Sequence, residues 1–184
     1  MSSSLTGVGE ARILELAALY SSPKASVAEL LCDRYPADAV AYTIVDTDLS
    51  HERLTYGELR RLSETFASAL ADLGIVPGDR VATLMGKGKD YLVALLGIWR
   101  LGAVHVPIFT AFAPAAISFR LTESAAKIVI CDATQRSKLV PGEDMPIQAP
   151  WTIITTASEA NNDGALSFAS LMDAGATGYP AAHL

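Results

Sequence analysis

From Ala41 onward, short β-branched runs alternate with longer stretches of helical periodicity, and this alternation restricts the fold more than any other feature of the chain. Antiparallel strands can be joined by tight turns, whereas parallel strands need crossovers of a dozen residues or more, which helices supply. The runs at 41–45, 80–85, 104–108, 127–131 and 152–155 are short and largely apolar. Continuous apolar runs suit strands covered on both faces. The expected fold is α/β, a mainly parallel sheet flanked by helices and joined by right-handed crossovers.

The helical stretches carry their own start and stop signals. Thr55 and Glu58 stand at the spacing of a capping box, in which the Thr hydroxyl accepts from the Glu amide and the Glu carboxylate accepts from the Thr amide. Leu59, Leu62, Phe66, Ala69, Leu70 and Leu73 then recur on one helical face. Gly74 should end the helix in a left-handed cap, and Pro77-Gly78 should turn the chain into the next strand. A second helix is expected from Asp90 to about Leu101, and a third from Pro114 to about Glu123, with the proline at the first helical position.

Before Ala41, Val27, Leu30 and Leu31 suggest one helix, and Ile13, Leu14, Ala17 and Ala18 another that packs loosely. Three prolines in 140–150 mark a surface connection leading to Trp151. Asn161-Asn162-Asp163-Gly164 reads as a turn, and Leu166 to Met172 as a short helix. Residues 1–184 are thus one unit: a helical lead-in (1–40), an α/β core (41–139), and a connection, strand and weakly patterned tail (140–184).

Composition narrows the function classes. A hydrophobic fraction of 51% against 18% charged residues excludes a disordered chain. The net charge of −6, without a run of Lys or Arg, argues against nucleic acid as a partner. Cys32 and Cys131 lie far apart without metal or redox spacing, so both are read as buried small apolar residues. Nothing approaches the length of a membrane span. The start Met1-Ser2-Ser3-Ser4 lacks a basic region, and Glu10, Arg12 and Glu15 interrupt any signal-like apolar stretch, so the cytoplasm is the expected compartment.

Local motifs assign no chemistry. Met85-Gly86-Lys87-Gly88-Lys89 lies between a strand and a helix, but a phosphate-binding Walker loop would need Gly where Thr83 stands and Ser or Thr where Asp90 stands. The segment is read as a solvated turn with Asp90 favouring the helix start. His51, His105 and His183 show no triad pattern, and His105 is read as a hydrogen-bonded strand residue. No metal set is apparent.

Leu54-Thr55-Tyr56-Gly57-Glu58-Leu59 resembles the first core motif of the adenylate-forming enzymes: acyl-CoA synthetases, luciferases and peptide-synthetase adenylation domains. The segments Gly74 to Val81, Tyr91 to Leu96, Trp99 to Pro107, Ile108 to Pro114 and Ala126 to Cys131 resemble that family in order and spacing, covering about two thirds of the chain. Phe109 stands where peptide-synthetase domains usually carry Asp, which favours an AMP-forming acyl-CoA synthetase, acetyl- to medium-chain-like. The implied fold is the N-terminal subdomain of that enzyme fold. The implied reaction joins ATP and a carboxylic acid into an acyl-adenylate, then transfers the acyl group to CoA, with magnesium assisting.

By the same resemblance, Phe109, Thr110 and Ala111 would border the CoA nucleotide, with Arg136 and Lys138 near its phosphate. Thr110 and Ala111 stand where related enzymes often carry Gly-Gly. The family's phosphate loop, magnesium acid, ribose Asp and adenylating Lys have no match in the chain. It is therefore expected to be a catalytically incomplete N-terminal portion. Two alternatives stay open: a noncatalytic scaffold that associates with itself as a homodimer, and an adenylation domain of another class.

Overall fold

In the computed structural model, which describes residues 3–23, 25–157 and 164–183, the middle of the central sheet is buried on both sides. Its strands are β3 (Arg80–Leu84), β4 (Val104–Pro107), β5 (Ile128–Cys131), β6 (Thr152–Thr155) and β7 (Leu166–Ser167), all parallel, in the order β4-β3-β5-β6-β7. Successive side chains on a strand point to opposite faces. Accordingly Ile128 and Ile130 join one core with Phe66, Leu70, Val93 and Phe168, while Val129 and Cys131 join a second with Ile117, Leu121 and Trp151. This two-sided burial explains why the strands read as unbroken apolar runs.

The first core is closed by α2 (Tyr56–Asp72) and α3 (Lys89–Arg100), and α4 (Pro114–Glu123) closes the second. The capping box forms as expected: Glu58 N donates to Thr55 Oγ1 at 3.2 Å and Thr55 N to the Glu58 carboxylate at 2.9 Å. Gly74 follows α2 with φ +83°. Leu59, Phe66, Ala69 and Leu70 are buried, while Leu73 at the helix end is partly exposed. Where α2 and α3 meet, a methyl at Gly97 would lie 2.9 Å from Phe66 Cδ1 and 3.3 Å from the Ser63 carbonyl oxygen. Only glycine permits that approach.

Two expectations are corrected and a third is refined. The 41–45 strand does not join the parallel sheet; as β1 (Val40–Val45) it pairs antiparallel with β2 (His51–Thr55), a strand absent from the sequence reading. The connection is too short for a crossover, and Asp48 closes it by accepting from Ser50 N and Oγ. The 166–172 helix is instead β7 followed by α5 (Phe168–Ala174), because Ile154 and Thr155 offer a free edge and Ser167 Oγ caps the helix. The helix expected around Val27, Leu30 and Leu31 forms but changes type: Val27 and Ala28 are α-helical and Glu29–Asp33 make a π turn.

Other parts agree with the sequence reading. Helix α1 (Ser3–Tyr20) leaves Ile13 and Leu14 exposed, as loose packing would. Residues 140–150 form an irregular connection, although Met145 within it is buried. Cys32 and Cys131 are buried and free of disulfides. Apart from Gly164, the expected turn at 161–164 lies outside the described residues.

His105 is hydrogen-bonded on its strand, with Nε2 2.7 Å from Thr83 Oγ1, and the rings of Tyr91 and Trp99 approach it edge-on. Burial holds its pKa below the ordinary value.

Two outcomes follow. Gly97→Ala should cost about 1–3 kcal/mol in chemical denaturation, because the overpacked methyl must displace Phe66 or separate the helices. His105 has a folded pKa below its unfolded value of about 6.5, so its stabilising contribution is complete above that value and is lost as pH falls through the lower folded value. Urea midpoints measured from pH 8 to pH 5 should fall less steeply in His105→Gln than in the parent.

Candidate functional site

In open parallel sheets, ligands bind outside the carboxyl ends of the strands where successive connections diverge. Here α3 carries the chain from β3 to β4 on one side, and α4 brings it back to β5 on the other side of β3. The divergence point is the crevice between the segment after β3 and the segment after β5. Gly86 N donates to Asp132 Oδ2 across it at 2.6 Å, beside a depression of about 240 Å³ that Lys87, Gly88, Asp90 and Tyr91 also line.

The apparent Walker-like segment therefore does sit at a ligand-competent place in the fold. Its chemistry differs from that of a phosphate loop. Asp132 occupies the Gly86 amide, and Lys89 pairs with Glu52 at 2.5 Å. Asp90, in the first turn of α3, is raised above the usual carboxylate range by desolvation; repulsion from Asp132 and Glu52 adds to this, and Lys89 opposes it. The carboxylates of Asp90 and Asp132 thus offset the ammonium groups of Lys87 and Lys89 around the depression. A second cavity, of about 270 Å³, shares Lys89 and Asp90 with apolar walls from Leu62, Val93, Phe168 and Met172.

The expected nucleotide-contact residues lie on the segment after β4 and on a 3₁₀ turn over Ala133–Leu139, which the sequence reading did not anticipate. Phe109 is 72% exposed, with its ring held edge-on to Phe112 at 5.4 Å. The Arg120 guanidinium lies 4.1 Å from the Phe112 ring centroid, backing the pair with a cation–π contact. Lys138 Nζ donates to the Thr110 carbonyl oxygen and ties the 3₁₀ turn to this loop. Ala111 is exposed. Phe109, Thr110, Ala111 and Lys138 are thus on joined elements. Arg136 shares the turn with Lys138, but its side chain is buried.

Nucleophilic chemistry finds little support. Burial pushes the Cys32 thiol up to about 12, and its S–H donates to the Tyr56 carbonyl at 3.4 Å, so it is a protonated packing group at neutral pH. Among the described residues, no three His, Cys, Asp or Glu side chains gather as a metal site would require. No described helix is long and apolar enough to cross a membrane.

Comparison with known proteins identifies the arrangement. The chain is 51% identical over 84 residues to the acetyl-coenzyme A synthetase of Chlorobaculum tepidum, a match covering 45% of this chain and 13% of that protein. It is 41% identical over 93 residues to the long-chain-fatty-acid–CoA ligase FadD13 of Mycobacterium tuberculosis, covering 50% of this chain and 18% of the relative. The crystal structure of a Brucella canis acyl-CoA synthetase superposes with a TM-score of 0.79 at 33% identity, over 91% of this chain and 31% of that one. The chain therefore spans less than a third of the length of these relatives. Residues 29–177 match the family of AMP-binding enzymes, and the chain belongs to that family.

Proposed function

We propose that the chain supplies the N-terminal part of an ATP-dependent carboxylate–CoA ligase. The observation that carries this reading is the family match over residues 29–177, together with relatives that are acetyl-CoA and long-chain-fatty-acid–CoA ligases. In the reaction, a carboxylate oxygen attacks the α-phosphorus of ATP, and the P–O bond to the leaving pyrophosphate breaks. The CoA sulfur then attacks the acyl carbon, releasing AMP and losing the thiol proton.

Such transfers depend on charge-stabilising groups positioned around the reacting centre. Residues 1–184 contain no match to the family's phosphate loop, ribose Asp or adenylating Lys. On this reading the segment contributes framework and a border of the CoA nucleotide, and does not itself activate ATP. ATP, magnesium and the acid are engaged by the whole enzyme, which acts in the cytoplasm.

Within the segment, Phe109 offers an exposed aromatic edge beside Thr110 and Ala111. The Lys138 ammonium keeps two donors beyond the one given to Thr110, and those would serve a phosphate of CoA. The burial of Arg136 favours Lys138 as the direct contact, with Arg136 supporting the turn beneath.

A second reading, a noncatalytic self-associating module, draws on large apolar side chains left in solvent, including Leu31, Val45 and Ile147. Light scattering separates the two: a monomer at micromolar concentration removes the module.

Purified 1–184 should release no pyrophosphate above background when given ATP, magnesium and acetate; release at a rate typical of complete synthetases would overturn the assignment. Calorimetric titration with CoA should give heat at millimolar ligand, weakened about tenfold in Lys138→Ala by loss of one charge-assisted contact. A flat titration of the parent chain would remove the CoA border from this segment.

A further inference from the structure

Arg100, the last residue of α3, is 1% exposed, yet it carries a charge that cannot be shed. Two carboxylates stand near it. Asp33, at the end of the π turn, takes both terminal guanidinium nitrogens at 2.9 and 2.5 Å, and Ser63 Oγ accepts from Nε at 3.2 Å. Glu64 is 4.0 Å from Nη1, short of a hydrogen bond. Its carboxylate is instead divided between Arg60 Nε at 2.9 Å and the Gly178 amide, also at 2.9 Å.

The Gly178 amide belongs to the tail after α5, which crosses α2 and α3. At one end of the crossing Gly175 lies so close to α2 that a methyl there would strike the Thr65 carbonyl oxygen. At the other end Ala182 N donates to the Arg100 carbonyl at 2.7 Å. The tail is thus a strap, fastened to the same arginine whose side chain grips the N-terminal π turn.

We propose that Arg100 is a two-position latch for which Asp33 and Glu64 compete, so that the grip of Asp33 leaves Glu64 free to fasten the strap. A buried guanidinium left without an anion is costly enough to recruit the nearest remaining carboxylate. When Asp33 withdraws, Glu64 Oε1, which faces Arg100 and accepts from Arg60, closes the 4.0 Å gap, and the shift of the rigid carboxylate draws Oε2 away from the Gly178 amide. The N-terminal segment and the tail are then coupled although Asp33 has no hydrogen bond to the tail among those of the described residues. Glu64 and Arg100 act here as positioning residues. The linkage operates through one shared partner, in the sense that a ligand of one state biases a distant element.

Amide hydrogen exchange tests the latch on the whole chain. In Asp33→Asn, exchange at Gly178 should rise on the order of tenfold, the effect of losing a hydrogen bond to a charged group, while β5 amides keep their protection. Unchanged exchange at Gly178 in this variant would overturn the proposal. Should Asp33→Asn fail to fold, Glu64→Gln provides the independent test, because it removes the charged acceptor of Gly178 while leaving the Asp33–Arg100 pair in place. Gly178 should then exchange faster while the amides of 30–35 remain as protected as in the parent. Equal loosening of both segments in Glu64→Gln would refute a competition.

Discussion

The buried guanidinium of Arg100 is the constraint around which the remaining packing is arranged. Moving a charge out of water costs several kcal/mol even after relaxation, and only excellent geometry with satisfied donors offsets that cost. Asp33 meets the guanidinium fork with two oxygens and Ser63 takes the remaining edge, while Glu64 adds negative charge behind it. These partners come from the π turn and from α2, while the Arg100 backbone accepts from the tail. Segments distant in sequence are therefore held to one side of the sheet by a polar centre within an otherwise apolar layer.

Around that centre the sheet separates two cores by the period of two that any strand imposes. Val81 contributes to one side and Ala82 and Leu84 to the other, and β5 divides likewise. The same sheet order that requires α3 and α4 to diverge opens the crevice between Gly86 and Asp132. Position in the fold and local chemistry differ there from a phosphate loop: the place suits a ligand, but Asp132 already takes the Gly86 amide, and the Asp90 and Asp132 carboxylates offset Lys87 and Lys89. The Phe109 loop, at the end of edge strand β4, combines an exposed ring with a lysine ammonium that no carboxylate pairs among the ion pairs of the described residues.

Where interactions are local, they could be read from residues alone. The Thr55–Glu58 capping box, the proline that opens α4 and the positive φ of Gly74 each depend on a few neighbouring residues, and all appear where expected. The hairpin escaped notice because the polar residues His51, Glu52 and Arg53 break the apolar pattern that marks a strand. β7 escaped because Leu166 and Ser167 extend only by borrowing the edge of β6. Of the candidate site, the loop at 109–111 was visible through family resemblance, whereas the burial of Arg136 depends on how a 3₁₀ turn packs under it.

The sequence by itself determined the α/β class, the main helices, four of the five parallel strands and the family, because periodicity, caps and motif order are properties of contiguous residues. The tertiary structure alone decided that β1 leaves the parallel sheet, that Lys138 and not Arg136 is the more accessible cation beside Phe109, and that Asp33 and Glu64 converge on Arg100. The physical reason is shared by all three. Each outcome depends on desolvation, edge pairing or charge compensation between segments far apart in the chain, and these energies exist only once the segments have been packed together.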